Sequence, residues 1–440
     1  MASKNIFMKK VHFVGIGGIG MSALAQMFAQ EGARVSGSDL EENKTMELLT
    51  AKGIAVTIGK QKAENVPEDS EAVVYSGAVP KENPERARAT ELGIPQFSYF
   101  QMLGNVSAGK HTIAVAGTHG KTTTTGMIAK VFIDAGMSPT VVVGSIMRDF
   151  GSNFVAGESD LFVVEACEYR DHLLELSPEV LVITNLEWDH TDYFSSFEAL
   201  QETFRKVVAK VPEYGAIVAN PGDPSVAAVL AGAAARVIDY TKEQPYELLL
   251  PGEFNQLNAR AAGAAARAYG GLRKSPIEML SDTAIATALA SFKGTWRRFE
   301  YKGKTKGGAE VYDDYAHHPT EIRETLSALR EKTKGKMFVV FQPHLFSRTR
   351  DLLNDFASAF TVADDVIIAP IYAARERDDG TISNRTLAAR ISARQAYAQA
   401  ISSFEDITEY IKMRARGGDT IMTMGAGDIY KVADLLAREK

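Results

Sequence analysis

The sequence predicts an α/β protein of three domains built on mainly parallel sheets. Short β-branched runs alternate with helical patterns from end to end, which is typical of parallel sheets with crossover helices. A length of 440 residues indicates about three domains, at roughly 150 residues for an ordinary domain. Two glycine-rich loops, at 15–20 and 117–120, each follow an apolar run and lead into a helical pattern.

The composition is that of an ordinary folded chain. Apolar residues make up 45% and charged residues 24%, close to the average for globular proteins, so the composition gives no reason to expect disorder. The formal net charge of −6 argues against a nucleic-acid-binding protein, because such domains are usually basic. The lone cysteine, Cys167, excludes an internal disulfide and fits a reducing compartment.

The N-terminal region resembles a signal peptide, because Lys9 and Lys10 precede an apolar run. The glycines of GIGGIG inside that run favour a strand, a turn and the start of a helix instead. No other stretch reaches the roughly 18 apolar residues that a membrane span needs. We therefore expect a cytoplasmic protein that binds neither membrane nor nucleic acid. We expect it to be a monomer or a homodimer.

Three blocks can be separated along the chain, and we predict domains at 1–107, 108–295 and 296–440. The segment GNVSAGK, 104–110, is rich in small and turn residues and indicates a linker between the first two domains. The third domain begins near Trp296 and contains four predicted strands, in AEVYDDYA, KMFVVFQ, DVIIAPI and DTIMTMG.

The first glycine loop has the pattern GxGxxG, formed by Gly15, Gly17 and Gly20, and Asp39 closes the next predicted strand. This spacing is that of a dinucleotide-binding fingerprint, in which backbone N–H groups at a helix N-terminus hold a diphosphate. Asp39 would then accept a hydrogen bond from a ribose hydroxyl. Taken alone, the pattern allows NAD, another diphosphate, or a glycine turn that only packs a helix against a sheet.

The second glycine loop, GTHGKTTTT at 117–125, indicates a site for a nucleoside triphosphate. Lys121 would reach the β- and γ-phosphates, the backbone around Gly120 would surround them, and the Thr122 hydroxyl would bind Mg²⁺. The loop is a shortened variant, because Val115 stands where the usual pattern has its first glycine.

Two further predicted strands end in candidate metal ligands. The run LFVVE ends at Glu165, and the run VLVITN leads into the loop LEWDH, which contains Glu187, Asp189 and His190. Since parallel strands open on one edge of a sheet, we expect Thr122, Glu165 and His190 to converge there. Two metal positions are then plausible, one at Thr122 and Glu165 and a second at His190.

Together the motifs resemble those of the Mur ligases, the ATP-dependent enzymes that add amino acids to UDP-N-acetylmuramic acid in peptidoglycan synthesis. The similar segments occur in all three predicted domains in the family's order, and they are most similar to the branch that adds L-alanine. They are HFVGIGGIGMSALA, VSGSD, AGTHGKTTTT, EACEYRDHLLELSPEVLVITNLEWDHTDYF, GTWRRFE, DDYAHHPTEI and FQPHLFSRTRDLLNDF.

The resemblance implies a Rossmann-like first domain, a central domain of the phosphate-loop ATPase type and a Rossmann-like third domain. It also implies that the first loop holds the diphosphate of the sugar nucleotide rather than NAD. The residues expected to bind UDP-N-acetylmuramate are Gly17, Gly18, Gly20, Asp39 and Ser76.

The resemblance likewise implies ATP and Mg²⁺ sites and an amino-acid site. Lys121, Glu165, His190, His344 and Arg348 are the expected catalytic residues, with Thr122, Glu165 and His190 as metal ligands. His344 and Arg348, with Tyr315, are also the candidates for holding the incoming amino acid. The expected ATP contacts are Gly117, Thr118, His119, Gly120, Lys121, Thr122, Thr123, Asn255, Asn258, Arg297, Asp313 and His317.

Two departures from the family's pattern affect these expectations. Phe254 replaces the histidine of a GxHN motif, which leaves Asn255 and Asn258 as the expected adenine contacts. The sequence also offers no identifiable lysine for the carbamate that bridges the metals in several later Mur ligases.

The expected reaction is ATP-dependent formation of UDP-N-acetylmuramoyl-L-alanine through an acyl phosphate. The alternatives are a ligase that attaches a whole tripeptide to the same sugar nucleotide, an NAD(P)-dependent dehydrogenase, and a non-catalytic ATP-binding regulatory protein. The segment FQPHLFSRTR favours the L-alanine enzyme over the tripeptide ligase, and the loop at Lys121 is not explained by a dehydrogenase. The base that removes the amine proton is not assigned.

Overall fold

The computed structural model describes residues 8–273, 280–374, 376–394 and 397–437. The chain divides into two compact units, of which the first carries two sheets and the second carries one. Each of the three predicted domains contains one of these sheets, which confirms the predicted three-domain α/β fold. The first unit comprises Met1–Leu186, Gln201–Glu247 and Asn258–Phe292, and the second comprises Glu187–Leu200, Leu248–Leu257 and Lys293–Lys440.

The N-terminal part of the first unit is a five-stranded parallel sheet. Its elements are β1 (Lys10–Val14), α1 (Ile19–Gln30), β2 (Arg34–Asp39), α2 (Lys44–Ala51), β3 (Ala55–Ile58), β4 (Ala72–Tyr75), α3 (Pro84–Glu91), β5 (Gln96–Ser98) and α4 (Tyr99–Ser107). The strands lie in the order β3-β2-β1-β4-β5. The order reverses between β1 and β4, and in such sheets ligands bind at the carboxyl ends of the strands near this switch point.

The central sheet of the first unit has seven strands in the order β12-β11-β10-β6-β9-β7-β8, and only β8 is antiparallel to its neighbour. Its strands are β6 (His111–Ala116), β7 (Thr140–Met147), β8 (Ser152–Val155), β9 (Leu161–Glu165), β10 (Val180–Ile183), β11 (Ala216–Ala219) and β12 (Arg236–Asp239). The helices that follow these strands in the chain are α5 (Lys121–Asp134), α6 (Phe197–Lys210), α7 (Pro224–Leu230), α8 (Glu253–Arg273) and α9 (Asp282–Ser291).

The second unit contains a six-stranded sheet in the order β13-β14-β18-β15-β16-β17, with β13 antiparallel at one edge. Buried apolar side chains form two clusters, one with Phe341 and Phe356 and the other with Val340 and Ile411. The elements are β13 (Glu300–Lys304), β14 (Glu310–Asp314), α10 (Pro319–Arg330), β15 (Met337–Phe341), α11 (Phe346–Asp351), α12 (Leu353–Ser358), β16 (Asp365–Ile368), α13 (Asn384–Ser392), β17 (Tyr397–Ala400), α14 (Phe404–Arg414), β18 (Thr420–Met424) and α15 (Tyr430–Ala437).

Buried polar side chains join α1 of the N-terminal sheet to β8 of the central sheet. Asn153 is 0% exposed, and its amide nitrogen donates to the Ile19 carbonyl and, at 3.3 Å, to Ser22 Oγ. Its amide oxygen accepts from Gln26 Nε2 at 3.3 Å. Because an unpaired buried amide is costly, these bonds hold α1, and with it the first glycine loop, against the central sheet.

The structure corrects the expectation of a linker at 104–110, because residues 104–107 form the last turn of α4. The small residues that suggested a linker serve helix packing: a Cβ at Gly104 would lie 2.7 Å from the Glu175 carbonyl oxygen. The predicted strands of the third domain are all present, as β14, β15, β16 and β18. The domain limits at 107 and 295 stay predictions.

No helix within the described ranges combines the length and the apolar character that crossing a membrane requires.

We predict that Asn153→Ala lowers the free energy of unfolding by about 2 kcal/mol, since it removes the buried hydrogen bonds of Asn153 to Gln26, Ser22 and the Ile19 carbonyl. Thermal unfolding followed by circular dichroism measures this loss. The control is Asn354→Ala, which removes an exposed side chain that accepts from Arg390. Equal melting temperatures for the two variants would contradict a structural role for the Asn153 contact.

Candidate functional site

The first glycine loop lies where β1 ends, and a neighbouring carboxylate fixes its shape. The Gly17 N–H donates to Asp39 Oδ2 at 2.8 Å, while Asp39 Oδ1 accepts from the Leu40 N–H at 2.7 Å. Gly18 is exposed and precedes the first turn of α1, whose backbone N–H groups suit an anion. The structure therefore uses Asp39 to hold the loop, and the ribose contact expected of it stays a prediction.

Ser76 lies beside this loop, as the resemblance implied. It directly follows β4, and a Cβ on Gly15 would lie 3.0 Å from the Ser76 Cβ. The candidate anion site of the N-terminal sheet thus lies at the switch point between β1 and β4, where doubly wound folds bind ligands.

The second glycine loop can adopt its shape only with glycine at two positions. Gly117 has φ +128°, and a Cβ there would lie 2.1 Å from Thr184 Oγ1. Gly120 has φ +81°, and a Cβ there would lie 2.2 Å from Asn258 Oδ1. Both conformations disfavour residues with a Cβ, so the spacing of the two glycines is a requirement of the loop itself.

The residues after β10 hold the second loop, and sequence reasoning did not identify them. Asn185 Oδ1 accepts from the His119 N–H at 2.9 Å, and the Asn185 carbonyl accepts from the Thr118 N–H at 3.1 Å. Thr184 Oγ1 donates to the His119 carbonyl at 2.6 Å. The sequence feature that could have identified them is the polar pair Thr184 and Asn185, which directly follows the apolar run VLVI at the sheet edge where the loop lies.

Lys121 lies in the loop with its ammonium surrounded by oxygen. Its Nζ donates to the Thr118 carbonyl at 3.0 Å and to Glu168 Oε1 at 2.9 Å. Burial alone would lower the pKa of Lys121, but neighbouring groups, with the Glu168 carboxylate foremost and Glu165 among them, together raise that pKa. Glu168, which is 2% exposed, is a third residue that the sequence analysis missed, after Thr184 and Asn185.

Thr122 and Glu165 meet as predicted. Thr122 Oγ1 donates to Glu165 Oε1 at 2.9 Å, and the Gly144 N–H donates to Glu165 Oε2 at 2.6 Å. A hydroxyl and a carboxylate are the oxygen ligands that Mg²⁺ prefers, so the donor set fits this ion. We refer to residues 117–122, Glu165, Glu168, Thr184 and Asn185 as the phosphate-loop edge.

The two predicted adenine residues are both buried. Asn258 is 6% exposed, and its Oδ1 accepts from Thr124 Oγ1 at 3.2 Å beside Gly120. In the second unit, Asn255 is 3% exposed, and its Nδ2 donates to the Pro251 carbonyl at 2.7 Å. Asn258 supports the phosphate loop, and an adenine contact by either residue stays a prediction.

In the second unit Arg297 and Asp313 pair with each other, and the ATP contacts expected of them stay predictions. Arg297 Nε donates to Asp313 Oδ2 at 2.7 Å, and the other two guanidinium nitrogens donate to the Gly427 and Gly425 carbonyls. Arg297 is 3% exposed and Asp313 is 0% exposed. A buried charge is retained only when it is paired, so this ion pair holds β14 against the segment after β18. Arg298 is the more accessible member of the arginine pair.

Arg348 also forms a buried ion pair, with Asp189, and the contact with the incoming carboxylate expected of it stays a prediction. Its Nε donates to Asp189 Oδ1 at 2.9 Å, and a second guanidinium nitrogen contacts His344 Nδ1 at 3.2 Å. Burial would raise the pKa of Asp189, but the Arg348 guanidinium holds that pKa well below its usual range. The sequence analysis named Asp189 only as a candidate metal ligand in the LEWDH loop, and in the structure its partner is Arg348.

His190 belongs to the second unit and lies in a turn with φ +53°. Its backbone N–H donates to Asp189 Oδ1 at 2.6 Å, which ties the turn to the Arg348 pair. Thr122 and Glu165 belong to the first unit, so the convergence of His190 with them stays a prediction.

The remaining predicted residues of the second unit form an aromatic group. His317 lies edge-on to Tyr315, with ring centroids 5.5 Å apart, and His344 stacks on Tyr372 at 5.7 Å. The Arg298 guanidinium lies 5.1 Å from the centre of the Tyr315 ring. Burial lowers the pKa of His317 to about 4, so this imidazole is neutral near pH 7.

Family models match the chain in three parts. The model described as the Mur ligase family catalytic domain matches residues 10–111, the Mur ligase middle domain matches 115–249, and the Mur ligase glutamate ligase domain matches 297–427.

Curated relatives are similar along nearly the whole chain. The UDP-N-acetylmuramate–L-alanine ligase of Clostridium acetobutylicum is 37% identical over an alignment 461 positions long, which covers 98% of each chain. The protein of the same name from Alkaliphilus metalliredigens is 38% identical over 463 residues, again covering 98% of each chain.

Solved structures give the same result. The UDP-N-acetylmuramate–alanine ligase of Thermotoga maritima superposes with a TM-score of 0.78 at 27% identity, over 97% of this chain and 98% of that one. A murein peptide ligase from Psychrobacter arcticus reaches a TM-score of 0.71 at 24% identity, over 98% and 99% of the two chains, which is a likeness of fold. Together with the curated relatives and the family models, this similarity shows that the chain belongs to the Mur ligase family.

Proposed function

We propose that this enzyme joins L-alanine to the lactyl carboxylate of UDP-N-acetylmuramate at the expense of ATP. The products are UDP-N-acetylmuramoyl-L-alanine, ADP and phosphate, and the reaction is a step in peptidoglycan precursor synthesis. The observation that carries the proposal is the phosphate-loop edge, where Lys121 and Thr122 each pair with a carboxylate at 2.9 Å. Full-length relatives named for this reaction support the choice of substrates.

ATP is needed because a free carboxylate is a poor acyl donor, since its leaving group would be oxide. A lactyl oxygen attacks the γ-phosphorus as the bond from phosphorus to ADP breaks, which gives an acyl phosphate. The amine of L-alanine then attacks the acyl carbon, phosphate leaves with the bonding electrons, and the amine gives up a proton. The Lys121 ammonium neutralises charge on the phosphoryl group as it is transferred.

We propose that Thr122 and Glu165 hold one Mg²⁺ ion and that His190 holds a second. The hydroxyl and carboxylate oxygens at the first position fit the ligand preference of this ion. Mg²⁺ would neutralise negative charge on the β- and γ-phosphate oxygens. The Gly144 N–H keeps the Glu165 carboxylate oriented toward Thr122.

For the amino acid, we propose that the second unit supplies the binding site around His344 and Tyr315. Arg348, which is anchored by Asp189 and also contacts His344, is proposed to act with His344 on the alanine carboxylate. Arg298, which lies 3.7 Å from Glu321 and has 26% of its side chain exposed, is a second cation beside Tyr315.

We also propose that the enzyme acts in the cytoplasm, where ATP and sugar nucleotides are present, as a monomer or a homodimer. The principal alternative remains a ligase that attaches a tripeptide to the same sugar nucleotide. Both reactions use the same phosphate-loop edge, so the acceptor amine distinguishes them.

The decisive experiment measures ADP and phosphate release from ATP and UDP-N-acetylmuramate with each acceptor in turn: L-alanine, glycine, L-serine and L-alanyl-γ-D-glutamyl-meso-diaminopimelate. We expect L-alanine to give the fastest release, and chelation of Mg²⁺ to stop it. Preference for the tripeptide, or release that does not depend on any acceptor, would overturn the proposal.

Lys121→Ala is expected to lower the ligation rate by a factor on the order of 10² to 10³, because the transferring phosphoryl group loses its cation. Binding of UDP-N-acetylmuramate, measured by titration calorimetry, should be largely retained, since that ligand uses the first glycine loop. Lys130→Ala is the matched control, because Lys130 lies on the same helix and pairs with Asp134. Parallel loss of ligation and sugar-nucleotide binding in Lys121→Ala would refute this division of labour.

Glu168→Gln is expected to make the reaction sensitive to alkaline pH. In the wild type the raised pKa keeps Lys121 protonated throughout the neutral range. Without the Glu168 carboxylate, less of the effect of burial is offset and the pKa of Lys121 falls, so activity is lost as the pH rises through this lower value.

The measurement is kcat/KM for ATP as a function of pH. We expect the alkaline limb of the Glu168→Gln profile to move toward neutral pH, with a loss of about tenfold for each unit by which the pH exceeds the lowered pKa. Glu175→Gln, an exposed position in the same segment, is the control. Superimposable profiles for wild type and Glu168→Gln would show that Glu168 does not govern the charge of Lys121.

A further inference from the structure

Tyr99 is an aromatic side chain at the carboxyl edge of the N-terminal sheet that no motif singled out. In the sheet register, Val14 of β1 pairs with Tyr75 of β4, and Tyr75 pairs with Ser98 of β5. The next residue after each strand is therefore Gly15, Ser76 and Tyr99, respectively. Tyr99 thus occupies the same edge as the loop and the serine expected to bind the sugar nucleotide.

The ring of Tyr99 lies directly on the first turn of α1. A Cβ on Gly20 would lie 2.5 Å from Tyr99 Cζ and 2.7 Å from its hydroxyl oxygen. The absence of a side chain at Gly20 is what allows the phenol this close, and its hydroxyl lies next to the helix terminus expected to bind the diphosphate. The third position of the glycine pattern therefore makes room for a tyrosine.

The start of α4 fixes the position of Tyr99. Ser98 Oγ accepts from the Gln101 N–H at 3.2 Å, and the Ser98 N–H donates to Gln101 Oε1 at 3.0 Å, which is a capping box. The next residue, Phe100, stacks on His172 in the segment that follows Glu168. This packing anchors α4 between the N-terminal sheet and the residues that follow the phosphate-loop edge.

The surroundings of the hydroxyl determine its chemistry. Burial raises the pKa of Tyr99, and the nearby Glu165 carboxylate raises it further, so the phenol stays protonated near neutral pH. A neutral phenol is a hydrogen-bond donor that does not repel an anion. The phenol is packed against α1, while the residue as a whole remains partly exposed.

The reaction requires one ligand to extend between these two places. The diphosphate binds at α1, whereas the lactyl carboxylate must approach the phosphate group beside Thr122 and Glu165. The muramyl group of such a ligand would lie between the two. The Tyr99 hydroxyl lies beside Gly20 of α1 and near enough to Glu165 for that carboxylate to affect its pKa. We propose that the Tyr99 hydroxyl donates a hydrogen bond to the muramyl part of UDP-N-acetylmuramate and so orients its lactyl carboxylate toward the phosphate-loop edge. This inference rests on the proposed function.

Tyr99→Phe tests the proposal, because it keeps the ring on Gly20 and removes only the hydroxyl. Titration calorimetry without ATP gives the Kd for UDP-N-acetylmuramate and for UDP, which lacks the sugar. We expect the Kd for UDP-N-acetylmuramate to rise about tenfold, as for loss of one hydrogen bond to a charged group, and the Kd for UDP to stay unchanged. In steady-state kinetics, KM for the sugar nucleotide should rise while KM for ATP does not.

Tyr75→Phe is the matched control, because it removes a hydroxyl from the neighbouring strand end, where Arg86 lies 3.6 Å from the ring centre. It should leave both dissociation constants unchanged. Equal weakening of UDP and UDP-N-acetylmuramate by Tyr99→Phe would indicate a packing role, and no change in either would remove Tyr99 from the site; both results overturn the inference. If the wild type itself fails to bind UDP-N-acetylmuramate or to ligate L-alanine, it is the proposed function that fails.

Discussion

The hydrogen bonds between the His119 backbone and the residues after β10 are the constraint on which the nucleotide site depends. Asn185 accepts from the His119 N–H and Thr184 donates to the His119 carbonyl, so both backbone groups of this loop residue are held. Gly117 and Gly120 allow the turn, but the neighbouring strand end fixes its shape. With the loop fixed, Lys121 and Thr122 emerge at the start of α5 toward two buried or half-buried carboxylates. A site that is organised before the substrate arrives can stabilise charge as it develops during transfer.

Charge pairing organises the second unit in a similar way. Arg348 with Asp189 and Arg297 with Asp313 are buried ion pairs, each at a strand end or in a loop next to one. Breaking such a pair leaves an uncompensated buried charge, at a cost of about 3 to 5 kcal/mol. Both pairs are therefore structural in this conformation. The loop with His190 is held through Asp189, and the segment after β18 through Arg297.

Much of the fold could be predicted from the sequence, because its strands are short apolar runs bounded by turn residues. The runs around Val340 and Ile367 were found in this way. The linker expected at 104–110 was wrong, since small residues also allow a helix to pack closely, as Gly104 does against Glu175. Sequence pattern does not distinguish a glycine that bends the chain from one that admits a neighbour.

The candidate site was predictable only where a motif carries the chemistry. Lys121, Thr122 and Glu165 lie together, and the order of loop and strands in the sequence was sufficient to predict that they would meet at one edge of the sheet. Glu168 and Asn185 were missed because their roles depend on which side chain or peptide lies opposite, which a single sequence does not contain. The ion pair between Arg297 and Asp313 was missed for the same reason.

The central claim is that the phosphate-loop edge converts a sugar carboxylate into an acyl phosphate. Transfer of an isotope tests this most directly. UDP-N-acetylmuramate labelled with oxygen-18 in the lactyl carboxylate is incubated with the enzyme, ATP, Mg²⁺ and L-alanine, and the released phosphate is analysed by mass spectrometry. The account predicts that one labelled oxygen passes from the carboxylate to each phosphate released. Unlabelled phosphate, formed together with the ligated product, would contradict it.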